Sequence, residues 1–277
     1  MSTLQDRLNH PLVKAARAGD LVTVAFMLDK GADVNLYFGL PLSEAIEGGH
    51  LHVVQYLVEQ GANIHSGHDM PLLQAAANGH LPIVKFLLEK GANIHSGHDM
   101  PLLEAAANGH LPIVKFLLEK GANIHSGHDM PLRWAAANGQ LSTVKFLLDQ
   151  GADIHAIDDM AFLLACQNGH FLVARLLVSR GANIHARNNS ALREAVKNKN
   201  YDLIAFLLDM GASVDGLTPS DLFITAPMDV SKLYPIVHGR DIMLLMPRAK
   251  RKMCEAFAGM MKESMGKDLG SLVLNYM

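Results

Sequence analysis

"GANIHSGHDMPL" occupies residues 61–72 and returns letter for letter at 91–102 and 121–132. It belongs to a longer rhythm. A Gly-Ala pair stands at Gly31, Gly61, Gly91, Gly121, Gly151, Gly181 and Gly211, a constant step of 30 residues. Residues 61–90 and 91–120 differ at one position only, Gln74 against Glu104, which marks a recent duplication. A fixed period of this length is the signature of a stacked repeat architecture.

The segment "MPLLQAAANGHLPIVKFLLEKGAN" from Met70 reads as two short helices. Leu72, Leu73, Ala75 and Ala76 form an apolar stripe on the first, and its alanines let a neighbouring helix approach closely. Gly79 is placed to end that helix as a left-handed residue. Pro82 suits the first turn of the second helix, where a missing N–H costs nothing, and Ile83, Val84, Leu87 and Leu88 supply its buried side. Gly91 ends the second helix in the same way, and a polar extended loop leads to the next unit. Neither helix can bury its apolar face alone, so the units are expected to stack side by side. The expectation is an all-α solenoid of about seven helix pairs over residues 1–210, a degenerate capping repeat over 211–226 and a helical segment over 227–277.

With 277 residues, 49% of them hydrophobic and 18% charged, the chain can bury a large core. Its formal net charge of −3, with both signs mixed along most of the length, argues against a nucleic-acid or membrane-surface partner. The start, "MSTLQDRLNH", lacks the basic and apolar regions of a secretory signal, and no apolar run of about 18 residues offers a membrane span. Cys166 and Cys254 are too few for a disulfide framework and suit a reducing compartment. A cytoplasmic monomer is expected. No glycine-rich phosphate loop, nucleophile elbow or paired-cysteine metal site is present, so neither catalysis nor a cofactor is expected. Cys254, His238 and Asp241 match a catalytic grouping in residue type alone.

The unit resembles the ankyrin repeat, whose Thr-Pro-Leu-His, paired alanines, Gly-His, apolar second helix and Gly-Ala-Asp-Val-Asn align with "MPLLQAAANGHLPIVKFLLEKGANIH". The resemblance covers roughly residues 10 to 215. It implies stacked helix pairs joined by hairpin fingers, and a non-catalytic scaffold that binds a protein through its concave and hairpin face. Two departures stand out. The period is shorter than the family's 33 residues, and the shortage falls in the loop before Met70, so the fingers should be short. Met70, Met100 and Met130 replace the motif's threonine, while Leu73 or Arg133 replaces its histidine. "PLRWAAANGQLSTVKFLL" from Pro131 and "ALREAVKNKNYDLIAFLL" from Ala191 look like a narrower subset, the 30-residue arrays of giant DNA viruses, with similar ones in bacteria that deliver proteins into host cells. That likeness implies a host-modulating adaptor as the alternative function, acting in the host cytoplasm.

The loop histidines pair as His65 with His68, His95 with His98 and His125 with His128, followed by Asp69, Asp99 and Asp129. Zinc ligation, copied loop filler and charge tuning by clustered imidazoles are the three readings of this pattern, and loop filler is preferred, with no metal. His50, His80, His110 and His170 follow a turn glycine and are expected to bridge neighbouring turns. Cys166 stands in an alanine column and reads as small core. Trp134 is read equally as a partner anchor and as internal packing. Partner contacts are expected at the loop histidines, at Trp134 and along the ends of the first helices, where Asn78, Asn108, Asn138, Asn168, Lys197 and Asn198 form an amide strip that turns basic.

The tail carries "PRAKRKMCEAFAGMMKESM" from Pro247, with basic residues ahead of Met253, Ala256, Phe257, Met260 and Met261 at helical spacing. A cap on the last repeat is the preferred reading. The alternatives are a docking helix that recruits a second host protein or a membrane-surface helix.

Overall fold

The computed structural model describes residues 4–213, so the expectations for 214–277 lie outside the described residues. The chain divides into two compact units, Met1–Asp153 and Ile154–Met277. The first holds α1 (Leu4–Ala18), α2 (Leu21–Asp29), α3 (Leu36–Glu47), α4 (Leu51–Glu59), α5 (Ser66–Ala77), α6 (Leu81–Glu89), α7 (Ser96–Ala107), α8 (Leu111–Glu119), α9 (Ser126–Ala137) and α10 (Leu141–Asp149). In the second lie α11 (Ala156–Gln167), α12 (Phe171–Ser179), α13 (Ala186–Lys197) and α14 (Tyr201–Asp209). The described residues therefore form seven helix pairs without a strand, an all-α repeat fold.

In the first unit, the odd-numbered helices pack on one another in sequence and so do the even-numbered ones, giving two layers. The alanine pairs permit the closer packing of the odd layer. Leu72, Ala75, Ala76, Ile83, Val84 and Leu87 are buried, and the same columns are buried at Leu102, Ala105, Ala106, Ile113, Val114 and Leu117. Each large side chain so buried contributes about 1.5 to 3 kcal/mol. Leu73 and Leu88, read as core, are only half-buried, whereas Leu103 is buried. In the second unit α11 packs on α12 and α13, and α13 on α14, with Phe162 and Cys166 in the core.

Six of the seven pairs carry a glycine in the turn between their helices, with Lys199 at φ 55° in its place in the seventh, and two features at Gly79 show why glycine suits it. Gly79 has φ +81°, and a Cβ there would stand 2.7 Å from Cε1 of His110 in the next repeat. Pro82 does sit in the first turn of α6.

Between pairs the structure departs from the expected hairpin fingers. Gly67, His68 and Asp69 have φ of 60°, 60° and 59°, three left-handed residues in a row before the right-handed helix continues. The same turn occurs at residues 97–99, 127–129, 157–159 and 187–189. A shorter period leaves no residues for a two-stranded finger, so the chain reverses in one compact left-handed turn. Each non-glycine residue in that region costs about 1 to 2 kcal/mol, which the turn's own hydrogen bonds must offset.

Candidate functional site

Asp69 is the residue that holds this turn. It is only 8% exposed, and Oδ1 accepts from the Asn93 backbone N–H at 3.1 Å and meets Nδ1 of His65 at 2.8 Å. A carboxylate only accepts, so Nδ1 of His65 carries the proton in this contact. Asp99 repeats the pattern with Asn123 at 3.0 Å and His95 at 2.9 Å. Asp129 does so with Asp153 at 2.8 Å and His125 at 2.9 Å. In the second unit Asp159 receives the Asn183 N–H at 2.8 Å and meets His155 at 3.1 Å. Asn189 plays the same part, with the Ser213 N–H at 3.2 Å and His185 at 2.8 Å. Each turn is thereby stitched to the residue after the Gly-Ala pair that follows it, an Asn or Asp in four cases and Ser213 in the last.

These bonds define the positions of the paired histidines. His65, His95 and His125 have side chains 55–57% exposed, each with one ring nitrogen committed to its aspartate. His68, His98 and His128 are exposed. The carbonyls of His68 and His98 accept the hydroxyls of Ser96 and Ser126, each at 2.5 Å. Among the described residues, no three His, Cys, Asp or Glu side chains are grouped to hold a metal ion.

The histidines after the turn glycines span neighbouring repeats. Nε2 of His50 lies 3.0 Å from the Arg17 carbonyl oxygen, that of His80 3.3 Å from Glu47, and that of His110 2.9 Å from Ala77. Part of the amide strip does similar work. Asn138 donates to the Ala107 carbonyl at 3.1 Å and Asn198 to that of Gln167 at 2.6 Å, while Asn108 reaches back to Glu104 at 3.0 Å. Lys197 pairs with Glu194 at 2.9 Å. Asn78, Asn108 and Asn138 nevertheless remain exposed. Cys166 is buried, and burial pushes its thiol well above the usual range.

Four aromatic side chains of the first unit face solvent: Trp134 at 49% exposure, Phe26 at 53%, Tyr37 at 74% and Phe38 at 93%. Tyr37 and Phe38 occupy the left-handed turn of their repeat, with φ of 46° and 61°, where later repeats place Gly67 and His68. They are in a strained conformation and gain almost no burial from it. With Asn35, Asn63 and Ser66 they line a cavity of about 520 Å³. Asn35, among its lining, donates to the Gly61 carbonyl at 3.0 Å and accepts from the Asn63 N–H at 2.9 Å.

Sequence reasoning weighed Asp69, Asp99 and Asp129 only beside the histidines, as metal ligands or loop filler, and passed over Tyr37 and Phe38. The Asp69 column was legible as Asp69, Asp99, Asp129, Asp159 and Asn189, the residue types that tolerate left-handed backbone. Tyr37 and Phe38 were legible as a bulky pair where the duplicated repeats have Gly-His.

Comparison with known proteins agrees with this architecture. A family model described as ankyrin repeats (3 copies) matches residues 72–158 and 132–216, and one described as ankyrin repeats (many copies) matches 42–88. Among solved structures, the crystal structure of the human ASB11 ankyrin repeat domain is similar at 30% identity and a TM-score of 0.57. The similarity covers 66% of this chain and 90% of that one. No curated protein is matched.

Proposed function

This chain belongs to the ankyrin repeat family, and from that premise we propose that it acts without catalysis by binding another protein. The observation that supports this reading is the exposed pair Tyr37 and Phe38. Aromatic side chains presented to solvent on a strained backbone are the type that dominates binding energy at protein interfaces. Trp134, half-exposed on α9, is a second aromatic anchor. The exposed histidines His65, His68, His95, His98, His125 and His128 and the ends of the first helices, from Asn78 and Asn108 to Asn138, Asn168, Lys197 and Asn198, supply the polar surroundings. No helix of the described residues is long and apolar enough to cross a membrane. The reading is completed by a monomer working in the cytoplasm, that of a host if the chain is a viral or delivered protein. In that case the segment from Pro247 recruits a second host protein.

The test compares full-length protein with a Tyr37→Ser, Phe38→Ser variant as bait in a cell lysate. The variant is expected to lose captured proteins while keeping its melting temperature, because neither side chain is buried. Undiminished capture would overturn the assignment of this pair as the anchor.

A further inference from the structure

Three of the left-handed turns accept hydrogen bonds from arginines of the chain itself. Arg133 donates from Nε to the His128 carbonyl at 3.0 Å and from a terminal nitrogen to the Gly127 carbonyl at 2.6 Å. Arg187 donates to the Ile157 carbonyl at 3.3 Å, and Arg193 to that of Asn188 at 3.4 Å. Three successive turns in sequence thus carry an arginine on the outward carbonyls. Partial burial disfavours the charge of Arg133, while the nearby Asp129 carboxylate favours it.

The two duplicated turns have the same backbone and the same buried aspartate but no such arginine. Residues 67–72 and 97–102 are identical to 127–132, with φ values at Gly67, His68 and Asp69 within a few degrees of those at Gly127, His128 and Asp129. In the column of Arg133 stand Leu73 and Leu103, and in the column of Arg187 stand Gly97 and Gly127. Gly67, His68, Gly97 and His98 are exposed. Ser96 and Ser126 bond the His68 and His98 carbonyls, whereas Ala156 holds that column for the His128 turn, so at the duplicated turns a guanidinium shares the histidine carbonyl, which has two acceptor positions, with the hydroxyl.

We propose that the turns at Gly67–His68 and Gly97–His98 are a tandem pair of arginine seats, which receive guanidinium groups from a protein partner as the turn at Gly127–His128 receives Arg133. The inference rests on the protein-binding reading above and names the chemistry of the partner. Arginine suits the seat and lysine does not, because a planar fork engages two adjacent carbonyls at once whereas an ammonium is a point donor. The duplication has a functional consequence under this assignment. Two identical repeats present two identical seats, one repeat apart, to a segment that carries two arginines.

The experiment titrates the isotope-labelled full-length protein with N-acetyl-arginine amide and, separately, N-acetyl-lysine amide, following backbone amide resonances. Arginine amide is expected to shift Gly67, His68, Gly97 and His98 and to leave Gly127 and His128 in place. In Leu73→Arg, Leu103→Arg the chain fills both seats itself, so the shifts should vanish. Leu73→Arg alone should erase only those at Gly67 and His68, which keeps the test valid if the double variant folds poorly. No shift, an equal shift at Gly127, equal potency of lysine amide, or shifts that survive in the single variant at Gly67 would each overturn the proposal. Capture of proteins through Tyr37 and Phe38 without any arginine response would sink the seats and leave the protein-binding reading standing. The reverse pattern would sink only the aromatic anchor.

Discussion

The ring of His110 occupies the space that a side chain at Gly79 would need: Cβ would stand 2.7 Å from its Cε1, while Nε2 lies 2.9 Å from the Ala77 carbonyl oxygen. Gly91 also has a positive φ, of +96°, yet has nothing within 4 Å of the same hypothetical atom. Gly79→Ala should therefore combine backbone strain of about 1 to 2 kcal/mol with loss of an inter-repeat hydrogen bond of about 0.5 to 1.5 kcal/mol. Gly91→Ala should show the strain alone. Urea midpoints that fall equally in the two variants would contradict the His110 contact.

Asp99 permits a test of the turn bonds that separates charge from hydrogen-bonding shape. Asn189 does the same job in its own repeat as an amide, meeting the Ser213 N–H and His185. Asp99→Asn is expected to unfold close to wild type, whereas Asp99→Ala leaves the Asn123 N–H without its acceptor at a cost of about 1 to 3 kcal/mol. Equal stability of the alanine variant would show that the column does not hold the turns.

In-frame removal of residues 91–120 should leave a folded protein. The repeat at 61–90 would then meet the repeat beginning at Gly121 through a surface that differs only by Gln74 in place of Glu104. Stability in such arrays is set by nearest neighbours, so helical content per residue should be unchanged. Circular dichroism and sedimentation check this, and aggregation would contradict it.

Cys166 is expected to be inert while the protein is folded. Burial pushes its thiol upward, and the thiolate is the reactive form. In a Cys254→Ser background, alkylation by iodoacetamide should be absent under native conditions and appear when denaturant unfolds the repeats. Rapid native labelling, read by mass spectrometry, would place the thiol at the surface.

What the sequence by itself determined was the architecture. The 30-residue step of Gly-Ala pairs, the alanine columns and the placement of Gly79 and Pro82 specify helix, turn and helix, because periodicity and backbone permission are local properties. Only the tertiary structure decided the connection between pairs. Whether residues 65–69 form a finger or a turn depends on what lies one repeat away. The answer came from the Asn93 N–H, 24 residues on, which claims the Asp69 carboxylate. The same holds for Arg133, an unremarkable substitution for leucine in the sequence, whose guanidinium meets the two carbonyls of Gly127 and His128 only once three left-handed residues have turned them toward it.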